Sequence, residues 1–290
     1  MSKVFHVFQY IQDLQARFHR AALGKDALLE MINEAEVSEQ VYNSNAIENS
    51  TLSLEETDKI LQQVNLNRFV NERELFEAKN LARVVDYINT KSGVLEFSLE
   101  TICLLHKMLI QNIQDDIAGR FRQDGEWVRV GSHIAVDPQQ IVSQLEEVLI
   151  VYKTSGTESV ISRIALFHLG FEQIHPFMDG NGRIGRVLNN YLLIKAGHVP
   201  MNIKFIDRAQ YYEAFKNFNE KGDIKIMEQI VGQALCNSYH KRLAYLEGKE
   251  IIKLSEYAKK EKLSYPNLLN KAKRQTIEAF WEKGVWKIGV

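Results

Sequence analysis

One stretch of the sequence, HPFMDGNGRIGR at residues 175–186, concentrates side chains able to handle a phosphorylated substrate. Pro176 and Gly180 separate two apolar helical patterns, so the stretch predicts a helix, a tight loop and a second helix. Gly180 and Gly182 allow the backbone to approach a ligand closely, and the first amides of the second helix lack partners within that helix. Because these amides lie at the positive end of the helix dipole, the pattern predicts a phosphate site.

The charged residues of the stretch indicate further roles. Arg183 and Arg186 are three positions apart, hence on one helical face, where both can donate charge-assisted hydrogen bonds to phosphate oxygens. Asp179 is a hard oxygen ligand of the kind that holds Mg²⁺ together with substrate phosphates. His175 is then free to act as a general base on an incoming hydroxyl.

Each of these residues also has an ordinary structural interpretation. A histidine before proline is common in turns, a Gly-Asn-Gly sequence alone is a turn, and paired arginines often form a solvated helical face. A metal-hydrolase site with His175 and Asp179 on one helix is disfavoured, because Pro176 and Gly180 make that helix improbable. The functional interpretation rests on the convergence of all these features within twelve residues.

The composition is that of a globular protein. The 290 residues are 45% hydrophobic and 25% charged, and the net charge of −1 gives no general reason to expect a polyanion as partner. The two cysteines, Cys103 and Cys236, lie in apolar helical patterns and are predicted to be reduced. Neither a signal peptide nor a membrane-spanning segment is recognised, so we expect a cytoplasmic protein without membrane contact.

The elements around the motif predict a mainly α-helical protein with three regions. Residues 1–97 form a helical N-terminal region, in which SLEE at residues 53–56 is a capping-box helix start. Residues 98–235 form the core, with an extended hairpin or flap near Trp127–Val136 and a buried helix leading into His175. Residues 236–290 form a linker helix and a small module.

HPFMDGNGRIGR resembles the signature of the Fic family, HPFx(D/E)GNGRxxR, at every fixed position. The resemblance implies an all-α fold: a Fic-type helical core with a short β-hairpin flap, preceded by the helical N-terminal region and followed by a helix-turn-helix-like module. It implies transfer of AMP from ATP, with Mg²⁺, to a hydroxyl side chain (Tyr, Ser or Thr) of a protein, which can be the chain itself. By resemblance the motif supplies the base His175, the apolar anchor Phe177, the metal ligand Asp179, the anion hole Gly180, Asn181 and Gly182, and the phosphate ligands Arg183 and Arg186.

Two further segments are similar to parts of the Fic core. GRFRQDGEWVRVGSHIAVDP resembles the flap, whose edge holds an extended target segment by strand addition. DRAQYYEAFKNFNEKGD resembles the stretch beside the adenine, which implies that Tyr212 and Asn219 lie near the base. Simple core packing is the alternative role for the two tyrosines of this segment.

SNAIEN, residues 44–49, resembles the inhibitory motif (S/T)xxxE(G/N) that many Fic proteins carry on a helix. Val37, Val41, Ser44 and Glu48 follow a helical stripe, which predicts that Ser44 and Glu48 face inward. The resemblance implies that Glu48, followed by Asn49, pairs with Arg186 and obstructs the γ-phosphate. A solvated glutamate near a helix end is the alternative.

The C-terminal segment, from Lys249 to Val290, carries ten Lys/Arg against five Asp/Glu. LSEYAKKEKLSYPNLLNKAKRQ resembles excisionase-type helix-turn-helix modules, and the sequence after it has a wing-like ending. Local positive charge agrees with DNA contact, although such modules also serve as protein contacts.

Three functions stay open at this point. The first is an autoinhibited AMP transferase, for which relatives indicate a homodimer. The second is removal of AMP from a modified target, with Glu48 activating water at the same site. The third is a DNA-binding regulator in which the Fic-like core serves as sensor or scaffold.

Overall fold

The computed structural model describes residues 3–66, 68–131, 133–154 and 159–290, with side chains from residue 8 onward. Helices predominate, as predicted: α1 (Lys3–Ala22), α2 (Asp26–Ile47), α3 (Leu54–Leu61), α4 (Glu72–Lys91), α5 (Leu99–Ile110), α6 (Ile141–Thr154), α7 (Val160–Ile174), α8 (Asn181–Lys195), α9 (Arg208–Lys221), α10 (Lys225–Leu246), α11 (Leu254–Lys260) and α12 (Tyr265–Lys273). The short strands are β1 (Arg129–Val130), β2 (His133–Ile134), β3 (Ile251–Lys253), β4 (Ala279–Glu282) and β5 (Val285–Gly289).

Two compact units are distinguished by their internal contacts. The larger comprises Val37–Gly197 and Ile203–Glu228, and the smaller comprises Met1–Glu36, His198–Asn202 and Gln229–Val290. The region boundaries expected after residues 97 and 235 stay a prediction. None of the helices in the described ranges combines the length and apolarity needed to cross a bilayer.

Local sequence signals account for several helix starts. The Ser53 hydroxyl accepts from the amide of Glu56, whose side chain accepts from the amide of Ser53, so the capping box predicted for α3 is confirmed. Ser98 caps α5 by accepting from the amide of Thr101. These hydrogen bonds satisfy helix amides that have no partner within the helix.

The core of the larger unit is built around α7, which contacts α6, α8 and α9. Its buried residues occupy nearly the whole circumference of the helix, including Ile164, Phe167 and Phe171. Phe167 contacts Phe97, and Phe97 stacks on Tyr191 of α8 at 5.2 Å between ring centroids. The prediction of a central, buried helix leading to His175 is therefore confirmed, and this packing gives the loop a rigid support.

Burial along α2 differs from the predicted stripe. Val41 and Ser44 are buried as expected, but Val37 is only half-buried and Glu48 lies one residue beyond the helix end. The polar residues between them are buried as well: Ser38, Glu39, Gln40, Asn43 and Asn45. The predicted inward position is therefore found for Val41 and Ser44 but not for Glu48, and burial extends to polar residues outside the stripe. Some of these polar side chains are satisfied by other segments of the chain. The amide of Phe205, for example, donates to Oδ1 of Asn43 at 2.9 Å.

The predicted flap is a short antiparallel hairpin. β1 pairs with β2 so that Arg129 faces Ile134 and Val130 faces His133. Ser132, within the expected Trp127–Val136 range, lies outside the described residues. The side chains of Trp127 and Ile134 are 56% and 67% exposed, which leaves apolar surface on the hairpin.

The smaller unit ends in a three-stranded antiparallel sheet of order β3-β5-β4, with α11 and α12 between β3 and β4. Within this C-terminal segment, six buried residues form one hydrophobic cluster: Leu254, Ala258, Leu268, Ala272, Ala279 and Ile288. Two short helices followed by a hairpin is the order of elements expected from the sequence. What this module binds stays a prediction.

Candidate active site

The motif folds as a helix, a tight loop and a helix. His175 is the C-cap of α7 with φ of 50°, and Gly180 is the N-cap of α8 with φ of 79°. A positive φ is readily adopted by glycine, and a side chain at residue 180 would also meet Ile110 at 3.0 Å. No side chain caps α8, so its first amides are left for a ligand, which agrees with the predicted anion site.

Asn181 fastens the loop from inside. Its Oδ1 accepts from the amide of Phe177 at 2.9 Å, and its Nδ2 donates to the Phe177 carbonyl at 2.8 Å. The amide of Gly180 donates to Oδ1 of Asp179 at 2.6 Å. Of the expected anion hole, the Asn181 side chain and the Gly180 amide are therefore engaged within the loop. The main-chain amides of Asn181 and Gly182 remain for a ligand.

His106, on α5, is a support of the loop that the sequence analysis missed. Its ring stacks on Phe177 with 3.7 Å between centroids and a 7° interplanar angle. Nδ1 accepts from the amide of Gly119 at 3.0 Å, so Nε2 carries the proton and donates to the carbonyl of Asp179 at 3.0 Å. Burial lowers the pKa of His106 to about 4, which keeps the ring neutral.

His175 is a neutral, largely buried imidazole. Burial lowers the pKa of His175 to about 4, while the main-chain carbonyl of Glu172 acts in the opposite direction. The His175 carbonyl accepts from Nε of Arg122 at 2.8 Å, and the Pro176 carbonyl accepts from the amide of Arg122 at 2.9 Å. Arg122 thus fixes the backbone of the loop. A neutral imidazole can accept a proton near pH 7, which agrees with the role expected of His175.

Arg186 and the segment at residues 44–48 are brought together. Nε of Arg186 donates to the Ser44 hydroxyl at 2.9 Å, and Nη2 donates to the Ser44 carbonyl at 2.8 Å and to Oε1 of Glu48 at 3.0 Å. Nη1 donates to the hydroxyl of Tyr211 at 3.1 Å. The guanidinium is buried, whereas the Glu48 side chain keeps 35% of its surface exposed. Glu48 therefore lines the cavity and is not inside the core.

Glu48 also covers the glycine loop. A methyl group at Gly182 would lie 2.2 Å from Oε1 of Glu48, so the carboxylate occupies the space directly above this glycine. Glu48, His175 and the loop residues Met178 to Arg183 line one cavity of about 500 Å³. The carboxylate therefore occupies part of the surface that a phosphate would use.

α4 supplies an ion-pair network beside the loop that the sequence analysis did not anticipate. Asp179 pairs with Arg73 of α4, and its Oδ1 also lies 3.2 Å from Nη2 of Arg183. Nη1 of Arg183 lies 2.9 Å from Oε1 of Glu77. Burial alone raises the pKa of Asp179, but Arg183 and Arg73 outweigh it and hold the pKa below its usual value. Arg183 and Asp179, both expected ligand contacts, are thus tied to each other and to α4.

The residues expected near the adenine lie on α9. The Tyr212 hydroxyl donates to the Ile47 carbonyl at 3.1 Å, and Nη2 of Arg208 donates to Oδ1 of Asn49 at 2.6 Å. Nδ2 of Asn219 lies 3.3 Å from Nδ1 of His133 on the flap. Tyr212 is thus placed against the segment that carries Glu48, and Asn219 against the flap. Neither of them lines the cavity beside the loop.

The fold and this loop are shared with known proteins. The Fic/DOC family model matches residues 96–193. The chain is 30% identical over 219 residues to protein adenylyltransferase Fic of Drosophila grimshawi, covering 74% of this chain and 44% of that protein. It thus spans less than half the length of this curated relative.

Solved structures of Fic proteins are similar to this fold. A Fic domain containing signaling protein from Bacteroides thetaiotaomicron has a TM-score of 0.72 at 20% identity, covering 83% of this chain and 97% of that one. A fragment of Fic-1 from C. elegans has a TM-score of 0.69 at 25% identity, covering 83% and 71%. The helical core and the loop define a Fic-type domain. The chain belongs to the Fic/DOC family.

Proposed function

We propose that this chain is an autoinhibited protein adenylyltransferase, which transfers AMP from Mg-ATP to the hydroxyl of a Tyr, Ser or Thr side chain. The observation that carries the proposal is the neutral His175 at one end of a tight loop, with the free amides of α8 and two arginines at the other. Relatives named protein adenylyltransferase support it.

The proposed reaction uses three groups of the chain. His175 takes the proton of the target hydroxyl on Nε2, and the hydroxyl oxygen forms a bond to the α-phosphorus. The bond from that phosphorus to the bridging oxygen breaks, and pyrophosphate leaves with the electron pair. The amides of Asn181 and Gly182 and the side chain of Arg183 stabilise the phosphate oxygens, so most of the rate enhancement comes from positioning and charge.

Asp179 is the carboxylate that would hold Mg²⁺. At the cavity its carboxylate is paired with Arg73 and Arg183, so a bound cation would compete with these guanidinium groups for its oxygens. No cluster of three or more His, Cys, Asp or Glu ligands occurs in the part of the chain that the structure describes, so substrate phosphates would complete the coordination. Bound Mg²⁺ would neutralise phosphate charge.

Inhibition by Glu48 follows from competition for shared donors. Its carboxylate accepts from Arg186 and covers Gly182, the two places where phosphate oxygens would bind. ATP can then bind only with a displaced γ-phosphate, which misaligns the α-phosphorus for attack. An error of about 1 Å in such a geometry can lower a rate by ~10²-fold.

The exposed apolar side chains of the flap, Trp127 and Ile134, support docking of a target segment along the β1–β2 hairpin. Strand addition at this edge would bring a hydroxyl towards His175 by main-chain hydrogen bonds, whatever the target's side chains. A segment of the chain itself can serve as such a target.

The transfer is tested with ATP labelled at the α- or the γ-phosphate, using the full chain, Glu48→Gly and Glu48→Gly with His175→Ala. We expect protein-bound label from α-labelled ATP only, strongest in Glu48→Gly and absent in the double variant. Protein-bound label from γ-labelled ATP only would indicate phosphate transfer instead, and no labelling by folded Glu48→Gly with a proteome extract as target would refute the proposal.

Removal of AMP from a modified target is a second use of the same site. Glu48 is partly exposed at the cavity, where its carboxylate can accept a proton from water. Purified AMP-bearing target, incubated with wild type and Glu48→Gln, tests this activity: release of AMP by wild type alone is expected if Glu48 activates water.

DNA contact by the C-terminal module is proposed as an additional function. Asn267, Asn270 and Lys271 of α12 and its C-cap Arg274 are exposed and follow the i, i+3, i+4, i+7 spacing, whereas Leu268 and Ala272 of the same helix are buried. Asparagine can read adenine, and lysine or arginine can read guanine or contact phosphate. A helix with this surface fits the major groove.

The DNA proposal is tested by fluorescence anisotropy of random-sequence duplex DNA at two salt concentrations. Lys271→Ala with Arg274→Ala should weaken binding and lower the salt slope by about 2. Lys216→Ala with Lys225→Ala, two exposed lysines of α9 and α10, removes the same charge elsewhere and should not. If the full chain binds no DNA at low salt, the DNA function is wrong.

We also propose a homodimer and a cytoplasmic location, as the family resemblance and the predicted reduced state of Cys103 and Cys236 indicate. Light scattering of the full chain and fractionation of cells test these two expectations.

A further inference from the structure

A buried carboxyl lies beneath the histidine of the site. Glu172 precedes His175 by one turn of α7 and is 8% exposed. Its Oε2 lies 3.8 Å from Nδ1 of His175, longer than a hydrogen bond. Neither Nδ1 of His175 nor Oε1 of Glu172 has a hydrogen-bond partner among the residues that the structure describes. The Glu172 carboxyl and the unsatisfied Nδ1 of His175 therefore lie next to each other without a hydrogen bond between them.

The neighbouring residues make room for this carboxyl without satisfying it. A methyl group at Gly185 of α8 would lie 2.6 Å from Oε1 of Glu172 and 3.0 Å from Cε1 of His168, so the glycine leaves space for both side chains. A buried carboxyl without a partner is unfavourable, and an apolar side chain would fill the same volume at lower cost. Packing alone does not account for a glutamate here.

We propose that Glu172 is a positioning residue that holds His175 in the tautomer whose Nε2 accepts the proton of the target hydroxyl. The inference rests on the proposed transfer reaction. The Glu172 carboxylate accepts a hydrogen bond from Nδ1–H of His175, which leaves the lone pair of the ring on Nε2. When Nε2 takes the proton, the ring becomes an imidazolium, and the adjacent carboxylate compensates its charge in the buried site.

Glu48 is linked to this pair by charge. Burial and the negative charge of Glu48 raise the pKa of Glu172 to about 8, while Arg186 opposes them. With Glu48 in place, the Glu172 carboxyl is protonated at neutral pH and is a poor acceptor. Burial and Glu48 are the two causes that raise the pKa of Glu172. Displacement of Glu48 removes one of them and therefore favours the ionised form of Glu172. Displacement of Glu48 thus both frees the phosphate site and makes Glu172 a hydrogen-bond acceptor for His175.

The ionisable groups around Glu172 set the expected pH dependence. Besides Glu48 and Arg186 these are His168, His175 and Tyr211; the pKa values of both histidines are lowered by burial, to about 3 and 4, and that of Tyr211 is raised by burial. Around neutral pH both histidines are therefore neutral and Tyr211 is protonated. The group that titrates is Glu172, so wild-type transfer should rise with pH towards about 8, and in Glu48→Gly this rise should occur at lower pH.

The first experiment measures AMP transfer by the full chain in the Glu48→Gly background, with Glu172→Gln and Glu172→Leu. We expect Glu172→Leu to lower kcat by at least about 10-fold with KM for ATP unchanged, within the ~10²- to 10⁴-fold that a general base contributes. Glu172→Gln keeps an acceptor of the same shape without charge, so it should retain more activity than Glu172→Leu and lose the pH-dependent rise. Glu228→Gln, which alters a carboxyl that contacts Ser162 at the other end of α7, is the matched control and should leave kcat unchanged.

The second experiment reads the tautomer directly, from the ring-nitrogen NMR signals of His175 in the same folded variants. The Nδ1–H tautomer should dominate in Glu48→Gly and be lost in Glu172→Leu; if Glu172→Leu does not fold, weakened Nδ1–H bonding in Glu172→Gln is the corresponding sign. An unchanged tautomer would overturn the inference and assign the role to the Glu172 main-chain carbonyl. Because the spectrum needs no turnover, a failure of AMP transfer in Glu48→Gly refutes the proposed function alone.

Discussion

Arg186 of α8 donates to Ser44 through both Nε and Nη2, and the same Nη2 lies 3.0 Å from Oε1 of Glu48. The guanidinium therefore has most of its donors committed to one short segment that lies far away in the sequence. A γ-phosphate would need the same donors. Nucleotide seating and the contact with residues 44–48 thus compete, and the predictions on Glu48 follow from that competition.

Glu48→Gly should raise AMP transfer by about 10²-fold over wild type, because the carboxylate no longer covers Gly182 or occupies Arg186. Glu48→Gln is the matched variant: it keeps the shape but removes the charge, so we expect an intermediate rate. The measurement is the initial rate of labelling with α-labelled ATP. A folded Glu48→Gly protein that labels no faster than wild type would refute inhibition by this segment.

Glu48→Gly should also lower the free energy of unfolding when nucleotide is absent. Breaking a fully buried ion pair can cost about 3–5 kcal/mol, and the partial exposure of Glu48 places the expected loss below that range. ATP should restore part of it, because a ligand that binds only the folded state stabilises it. Urea unfolding with and without Mg-ATP gives both values. A loss that nucleotide does not reduce would argue against a shared binding surface.

His175→Ala should lower AMP transfer by ~10²- to 10⁴-fold without unfolding the protein, because the ring supplies the base and lines the cavity at the loop. Phe177→Ala is the contrasting variant. Its ring is fully buried against His106, so we expect a stability loss of about 3–5 kcal/mol together with lost transfer. Thermal unfolding and labelling are compared for both. Near-wild-type labelling by His175→Ala would exclude it as the base.

Arg73→Gln should tighten binding of a divalent cation at Asp179, because Arg73 then no longer pairs with that carboxylate. Arg73 is half exposed, so the pair is worth at most about 1 kcal/mol and the affinity should rise by no more than ~5-fold. Binding of Mn²⁺ to the full chain with ATP, followed by electron paramagnetic resonance, measures it without turnover. Arg68→Gln, whose guanidinium pairs with Glu56 away from the cavity, is the control. Weaker binding in Arg73→Gln would assign Arg73 to the phosphates.

Stability should fall as the pH is lowered from about 6.5 towards 4. Burial lowers the pKa values of four histidines. The value is about 4 for His106, His175 and His240 and about 3 for His168. Between these values and the ordinary value of 6.5 the unfolded chain binds more protons than the folded one. Each such histidine then lowers the unfolding free energy by about 1.4 kcal/mol per pH unit.

The contribution of Glu172 to stability has the opposite pH dependence over part of this range. Its pKa is raised to about 8 in the folded state, so the folded chain binds its proton more tightly than the unfolded chain does. Stability should therefore fall more steeply on acidification in Glu172→Gln than in wild type. Urea unfolding at pH 7.5, 6 and 5 measures both slopes. A wild-type stability that stays constant or rises towards pH 5 would contradict the buried, neutral histidines.

The sequence by itself determined the local features of the site. Ser53 starts α3, and Pro176 with Gly180 separates α7 from α8. These predictions succeed because capping hydrogen bonds and backbone sterics act within a few residues, so the chain encodes them locally. The spacing of the loop residues likewise implied a phosphate site next to a histidine before any tertiary contact was known.

Only the tertiary structure decided what surrounds that loop. Ser44 meets Arg186, Glu77 meets Arg183, and His106 stacks on Phe177, although each pair is far apart along the chain. Helical periodicity predicts which residues share a face, but it does not predict which polar groups on other helices will satisfy them. For this reason the partly exposed position of Glu48 beyond the end of α2 and the contact of Asn219 with the flap were not foreseen, and Glu172 was not recognised as a neighbour of His175. Their positions depend on packing between helices, which no short stretch of sequence specifies.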